Sequence, residues 1–243
     1  MDCDQDLNNN LAYFVIIPML SVLLFSFVVS SVEGSTSVNI FPPGSTPYGL
    51  PYPKHIENFW KWILSIPAKD NPINDPTGEK CATGQSNTNS SLFYLAFNNG
   101  GISERTCKVP VGKGLFIPVM QVELTEKDVP GATIEELKLS AKTDQDSVNS
   151  LYLKIGNKEH NFEDLRKYRT DTDGFDVNYA DNGIFGIVEG GPTTAVADGY
   201  YIMTDPLQKG NYTVHYRSSL SCLEPGCAEP NFAQDIKYNI IVE

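Results

Sequence analysis

The sequence lacks the motifs that mark several common active sites. It has only three histidines and no His-Glu-x-x-His pair, so the zinc hydrolases that use this pair are not indicated. Ser86 follows Gly84 but is not followed by the second glycine of a nucleophile elbow. Gly112-Lys113-Gly114 lacks the spacing of a phosphate-binding loop and reads as a tight turn. We therefore expect a recognition or structural role rather than catalysis.

Basic residues are also scarce. The chain has 18 Lys and Arg against 30 Asp and Glu, a formal net charge of −12, and its first basic residue is Lys54. The longest basic stretch, Arg166-Lys167-Tyr168-Arg169, lies between Asp164 and Asp171. Because a negative field repels phosphate, we expect no nucleic acid among the partners.

Residues 1–34 contain a long apolar run at residues 11–32 without a charged side chain. As a helix this run would span roughly 33 Å, about the thickness of a bilayer's hydrocarbon core. Small residues before Ser35 favour a signal peptide cleaved after Gly34, whereas Asp2, Asp4 and Asp6 replace the basic start that such signals have. Residues 1–34 are therefore predicted to be either a signal peptide or an uncleaved membrane anchor.

Five cysteines are present, and Cys3 precedes the apolar run. The other four allow three disulfide pairings, of which we favour the two that are nearest in sequence, Cys81 with Cys107 and Cys222 with Cys227. No Cys-x-x-Cys pair exists, so zinc is disfavoured. An even set of cysteines indicates an oxidising, extracytoplasmic location, either secreted or anchored at the cell surface.

Two N-glycosylation sequons fit this location. They begin at Asn89 and Asn211.

The apolar pattern predicts a β-rich domain over residues 54–243. Residues 35–53, which precede it, are predicted to form a short strand at 38–41 and a Pro- and Gly-rich linker. Helical spacing of apolar residues predicts a helix over 55–66, with Trp60 on its apolar face and Trp62 nearer the margin. Thr133 and Glu136 form a capping box at the start of a second helix.

Strands are predicted wherever the period is two or where β-formers run between turn residues. In segments 212–217 and 236–242, apolar residues alternate with polar ones such as His215 and Arg217. Gly156-Asn157 marks a hairpin turn. The predicted strands are 92–97, 115–124, 148–155, 184–188, 199–204, 212–217 and 236–242. We expect an all-β, antiparallel β-sandwich of jelly-roll or immunoglobulin-like type with two short helices, preceded by the N-terminal apolar helix.

A series of short motifs extends over most of residues 55–242. The motifs are Phe59-Trp60-Lys61-Trp62 through Pro67, Asn71-Pro72, Asp75 to Gly78, Cys81, Gly84-Gln85, Arg105-Thr106-Cys107 to Pro110, Gly114 to Pro118, Ala195 to Tyr201, Pro206-Leu207 and Gly210. They resemble a family of uncharacterised exported bacterial and archaeal proteins. The resemblance implies an exported β-sandwich and brings no established activity. In this family the stretch after the Gly-Gln pair usually reads Gly-Pro-Val-Trp-Phe-Leu, whereas here residues 86–91 insert a polar loop before Leu92.

Two groups of residues are candidates for a site. Asp198, Gly199, Tyr200 and Tyr201 form a predicted binding edge, because adjacent tyrosines in a strand point to opposite faces and one should meet solvent. The second group concentrates oxygen ligands around Gly174 in a loop that could hold calcium, and no other cofactor is expected. Its residues are Asp171, Asp173 and Asp176.

These features predict an exported recognition or structural module with a surface glycan or protein as partner, and with the membrane as a further partner through residues 11–32 if they are retained. One alternative is a filament or coat subunit, a homo-oligomer in which residues 38–41 complete a neighbour's sheet. The other is a secreted glycan hydrolase with a carboxylate pair drawn from Asp173, Asp176, Glu189 and Asp198.

Overall fold

The computed structural model describes residues 37–88, 90–221 and 231–243. The predicted signal or anchor at 1–34, the predicted Cys222–Cys227 bridge and the sequon at Asn89 lie outside these residues. Within the described part of the chain, no helix is long and apolar enough to cross a membrane.

Three α-helices and ten strands make up the described fold, joined by short 3₁₀ turns. The helices are α1 (Tyr52–Leu64), α2 (Ile134–Asp146) and α3 (Phe162–Leu165). The strands are β1 (Leu92–Tyr94), β2 (Gly101–Val109), β3 (Gly114–Thr125), β4 (Val148–Ile155), β5 (Lys158–His160), β6 (Arg169–Asp171), β7 (Phe175–Tyr179), β8 (Gly191–Met203), β9 (Gly210–Leu220) and β10 (Phe232–Val242).

The strands form two five-stranded sheets, consistent with the predicted β-sandwich. Sheet I has the order β1-β3-β8-β6, with β7 also paired to β8, and sheet II has the order β2-β10-β9-β4-β5. The predicted all-antiparallel arrangement is wrong, because β1 pairs with β3 and β2 pairs with β10 in parallel. The chain crosses to sheet II as β2 between β1 and β3, so it re-enters sheet I running in the same direction.

Helix α1 is the central packing element. Phe59 stacks on Phe116 of β3 with ring centroids 4.9 Å apart, and Trp60 Nε1 donates a hydrogen bond to the Tyr201 hydroxyl at 3.3 Å. Trp62 is only 4% exposed, so the prediction that it lies nearer the margin of the helix's apolar face is wrong. A loop that passes over the helix covers it, and Trp62 Nε1 donates to the Thr83 carbonyl at 2.9 Å.

Sheet I is covered on both faces. Tyr201 of β8 meets α1, whereas Val196 of β8 clusters with Leu137 and Ala141 of α2. These β8 residues differ in parity, so α1 and α2 lie on opposite faces of the sheet. The predicted capping box of α2 is confirmed, since the Thr133 side chain accepts from the Glu136 backbone N–H and the Glu136 side chain accepts in return.

Several predicted boundaries differ from the structure. Helix α1 begins at Tyr52 because Pro53 is well placed in a first turn, where no N–H is needed. Residues 38–41 form no strand and contribute one isolated bridge, from Ile40 to Thr204. Residues 184–188 contain a 3₁₀ turn in which Phe185 has a φ of 60°. Strands β2, β5, β6 and β7 were not predicted.

A segment that we call the latch, residues 71–85, ties the end of α1 to the edge strand β2. The Asn71 side chain donates to the carbonyls of Ile63 and Ile66 and so caps the helix. Gly78 has a φ of 95°, and a Cβ there would lie 2.5 Å from the Thr106 carbonyl oxygen. Glycine is therefore required where the latch meets β2.

The guanidinium of Arg105 on β2 lies at the centre of the latch and is 1% exposed. Its Nε donates to the Asp75 carbonyl at 2.7 Å, its Nη2 to that of Ile73 at 3.0 Å, and its Nη1 to the Ala96 carbonyl and the Tyr238 hydroxyl at 2.7 and 2.6 Å. This one side chain joins the latch to the loop after β1 and to β10.

Gln85 ends the latch by pairing with the edge strand β1. Its Nε2 donates to the Tyr94 carbonyl at 2.8 Å, and its Oε1 accepts from the Tyr94 N–H at 3.2 Å. The amide thus satisfies the free edge of β1 much as another strand would.

The predicted disulfide between Cys81 and Cys107 is confirmed and joins the latch to β2. It closes a sequence separation of 26 residues, for which chain entropy gives about 3 kcal/mol of stabilisation. We expect the Cys81→Ala, Cys107→Ala double variant to lose about this much, measured by urea unfolding. Wild type in excess reductant should match the variant, and unchanged midpoints in both would contradict the prediction.

Candidate functional site

The predicted binding edge lies inside the fold. Tyr200 and Tyr201 are both buried, so the expectation that one of them faces solvent is wrong, because both faces of β8 are covered. Gly199 packs against β3, where a Cβ would approach the Met120 carbonyl oxygen to 2.5 Å. This stretch is the middle of a central strand and not an edge.

Asp198 lies at a cleft of about 420 Å³ between α2 and the β6–β8 pair, with Asp171 also in the lining. Arg169 Nε donates to one Asp198 oxygen at 3.0 Å and Nη2 to the other at 2.7 Å, while Nη1 bonds Asp146 at 2.6 Å. The hydrogen bonds to Asp198 raise the pKa of Arg169. Both Asp198 oxygens are therefore used to hold β6 and α2 to β8.

The predicted calcium ligands are not assembled into a site. Asp171 and Asp176 are exposed on two different strands, and Asp173 is 97% exposed and bonded to Lys138 at 2.8 Å. That hydrogen bond lowers the pKa of Asp173. In the described residues no group of three His, Cys, Asp or Glu side chains could hold a metal ion.

Glycoside hydrolysis needs a pair of carboxyl groups, and the predicted candidates are Asp173, Asp176, Glu189 and Asp198. A general acid needs a raised pKa, whereas that of Asp173 is lowered. Asp198 is occupied by Arg169, and Asp176 and Glu189 are exposed. Among the described residues, the cleft lined by Asp198 contains none of the other three carboxylates.

The second sequon is sterically available, because Asn211 is exposed at the start of β9. The motifs that carry the family resemblance are largely used by the latch, through Asn71, Asp75, Gly78, Cys81, Gln85, Arg105 and Cys107. These residues hold the fold together, whereas Trp62, Pro67 and Gly84 of the same motifs line an open cleft of about 580 Å³ beside the end of α1.

A further open groove lies on the outer face of sheet II, at the end of the sheet where β2 and β10 begin. It has a volume of about 450 Å³ and crosses β2, β10, β9 and β4. Ile102 is 84% exposed at one end. The lining residues are Gly101, Ile102, Ser150, Tyr152, Arg217, Ser218, Ser219, Ala233, Gln234 and Asp235.

Three of the lining side chains, together with His215 beside the groove, contact one another, and we call these four the groove cluster: Tyr152, His215, Arg217 and Asp235. The Arg217 guanidinium carbon lies 4.4 Å from the Tyr152 ring centroid, a cation–π contact. His215 Nε2 lies 2.6 Å from Asp235 Oδ1, and its ring meets Tyr152 edge-on at 5.7 Å. An aromatic ring, a cation, an imidazole and a carboxylate thus meet on one exposed surface.

Sequence reasoning did not identify the groove cluster. The signal was present, because the alternation in β9 places His215 and Arg217 on the face opposite the buried Val214 and Tyr216. What was missing was the order β10-β9-β4, which brings Tyr152 and Asp235 to the same face.

Comparison with known proteins assigns no family. No protein-family model and no curated protein matches the chain. Two solved structures are similar over 63% of this chain: PbICP-C in complex with falcipain-2, at 13% identity over 100% of that chain with a TM-score of 0.25, and the cysteine protease inhibitor EhICP2 from Entamoeba histolytica, at 12% identity over 96% of that chain with a TM-score of 0.23. Similarity of this extent shows neither a shared fold nor a shared function.

Proposed function

We propose that the protein is an exported surface recognition module and that the outer face of sheet II, centred on the groove cluster, is its binding surface. The observation that carries the proposal is the Tyr152–Arg217 stack beside the His215–Asp235 pair in an open groove. Tyrosine and arginine are the side chains that most often dominate binding surfaces, because they offer apolar area together with directed hydrogen bonds.

Two further features support this role. Sheet I is covered on both faces, so sheet II supplies the broad exposed face of the described fold. The Cys81–Cys107 bridge is consistent with an extracytoplasmic location, where a surface partner would be met.

The test is binding of the purified full chain to cell envelopes of its own source. We expect a Tyr152→Ala, Arg217→Ala double variant to bind at least tenfold more weakly than wild type, because truncating a central aromatic–arginine pair typically costs about 2 kcal/mol or more. Binding would be measured by co-sedimentation, and circular dichroism would check folding.

Lys108→Ala is the matched control. Lys108 is an exposed cation of sheet II that lies on β2, outside the groove, and pairs with Glu243 at 2.8 Å. It should bind as wild type does. Equal binding by the double variant and wild type would refute the proposed surface.

A further inference from the structure

Arg217 is a distinctive cation on this surface, because its hydrogen-bond donors are not used within the described residues. The guanidinium stacks on Tyr152, and no hydrogen bond or ion pair from it is found among them. Its charge acts on Glu159, whose pKa is lowered by the hydrogen bond from Lys154 with a smaller contribution from Arg217. Most other exposed cations near it are engaged: Lys154 bonds Glu159 at 2.9 Å and Lys237 bonds Glu104 at 2.7 Å. The five N–H donors of Arg217 are thus available to a ligand.

The carboxylate directly opposite Arg217 on β10 does not pair with it. Asp235 is its direct cross-strand partner in the register of β9 and β10, yet the Asp235 carboxylate is engaged by His215 at 2.6 Å. The ring of Tyr152, which is the direct partner of Arg217 on β4, instead holds the guanidinium against the sheet. This arrangement pre-orients a planar, doubly donating cation, which matches a carboxylate through two parallel hydrogen bonds.

The rest of the groove carries groups suited to hydroxyls. Ser150 and Ser219 line it, and the Ser219 hydroxyl donates to Asn149 and so can still accept a hydrogen bond. Asp235 adds a carboxylate to the lining, and His215, which lies beside the groove, contacts this carboxylate at 2.6 Å. Exposed Ile102 adds apolar area at one end.

We propose that the groove binds an acidic saccharide, with Arg217 holding the sugar carboxylate and with Ser150, Ser219 and Asp235 facing its hydroxyls. This inference rests on the proposed function, since it names the ligand class of the same surface. The net charge of −12 repels an anion at long range, so the affinity depends on the local contact with Arg217 and not on steering.

The experiment is calorimetric titration of the full chain with an oligogalacturonate, with its fully methyl-esterified form and with an oligoglutamate of equal length. We expect the oligogalacturonate to bind, and the ester and the peptide to bind at least tenfold more weakly. Arg217→Ala should lower the affinity for the oligogalacturonate by about ten- to a hundredfold, because a charge-assisted pair of hydrogen bonds is lost. Arg217→Lys, which keeps the charge but not the planar fork, should rescue only part of it.

Three results would overturn the proposal: equal binding of the ester, equal binding of the oligoglutamate, or an Arg217→Ala variant that binds as wild type does. Lys108→Ala again serves as the control. If oligogalacturonate fails to bind while envelope binding still depends on Tyr152 and Arg217, the saccharide class is wrong and the recognition surface stands. If envelope binding is also indifferent to these residues, both proposals fail.

Discussion

Replacing Arg105 by methionine is expected to destabilise the protein by about 3 kcal/mol or more. Methionine fills a similar volume but cannot donate, so the carbonyls of Ile73 and Asp75 lose the guanidinium that satisfies them. The Tyr238 hydroxyl loses one donor and keeps its hydrogen bond to the Ala96 carbonyl. Each buried polar group left without a partner costs about 1–3 kcal/mol. The latch should loosen from β2 as a consequence.

Thermal and urea unfolding measure this effect. For a domain of this size, 1 kcal/mol corresponds to roughly 2–4 °C in Tm, so we expect the Tm to fall by about 6 °C or more. Arg166→Met is the matched control, because Arg166 is largely exposed and pairs only with Glu163. A change of less than about 0.5 kcal/mol is expected there. Similar losses in the two variants would show that the buried guanidinium has no special role.

The second large effect concerns Glu123, whose buried carboxyl on β3 accepts a hydrogen bond from the Tyr179 hydroxyl at 3.0 Å. Burial, with a further contribution from the Asp128 carboxylate, raises its pKa well above the ordinary value of 4.5. The folded protein therefore keeps a proton that the unfolded chain releases. Stability that is fully present below pH 4.5 is lost as the pH rises toward the folded pKa, by about 1.4 kcal/mol for each pH unit.

Glu123→Gln should remove this loss, because the amide keeps the shape of the acid and its oxygen can still accept from Tyr179. We expect the variant to match wild type near pH 4 and to exceed it increasingly from pH 5 to pH 7, in urea unfolding at each pH. Glu136→Gln is the control. Its effect on the change of stability with pH should have the opposite sign, because hydrogen bonds from Thr133 lower the pKa of Glu136. Parallel pH profiles for wild type and Glu123→Gln would mean that Glu123 is ionised in the folded protein.

Much of the local structure could be predicted from local patterns. The capping box at Thr133 and Glu136 locates α2, and the two-residue period locates β9 and β10. Proximity in sequence also identified the Cys81–Cys107 bridge. The signals for the helix and the strands lie within a few residues, whereas the bridge spans 26 residues that include β1.

The errors come from contacts between distant segments. Periodicity tells which residues share a face, but not which strand lies beside them or in which direction it runs, so the parallel pairs β1–β3 and β2–β10 were missed. The positions of Trp62 and Tyr200 were wrong for a similar reason, because a loop and a second layer cover them.

Local patterns in the sequence were enough to indicate a β-rich, acidic chain and to favour the Cys81–Cys107 bridge over its alternatives. The latch, and the contacts that the motif residues make in it, follow from the folded structure alone. The tertiary structure buried Asp198 and Tyr201 in a central strand, used the motif residues as internal ties, and brought Tyr152, Arg217, His215 and Asp235 together from three strands. The reason is that a side chain's neighbours across a sheet are set by strand order and register, which depend on the packing of the whole chain.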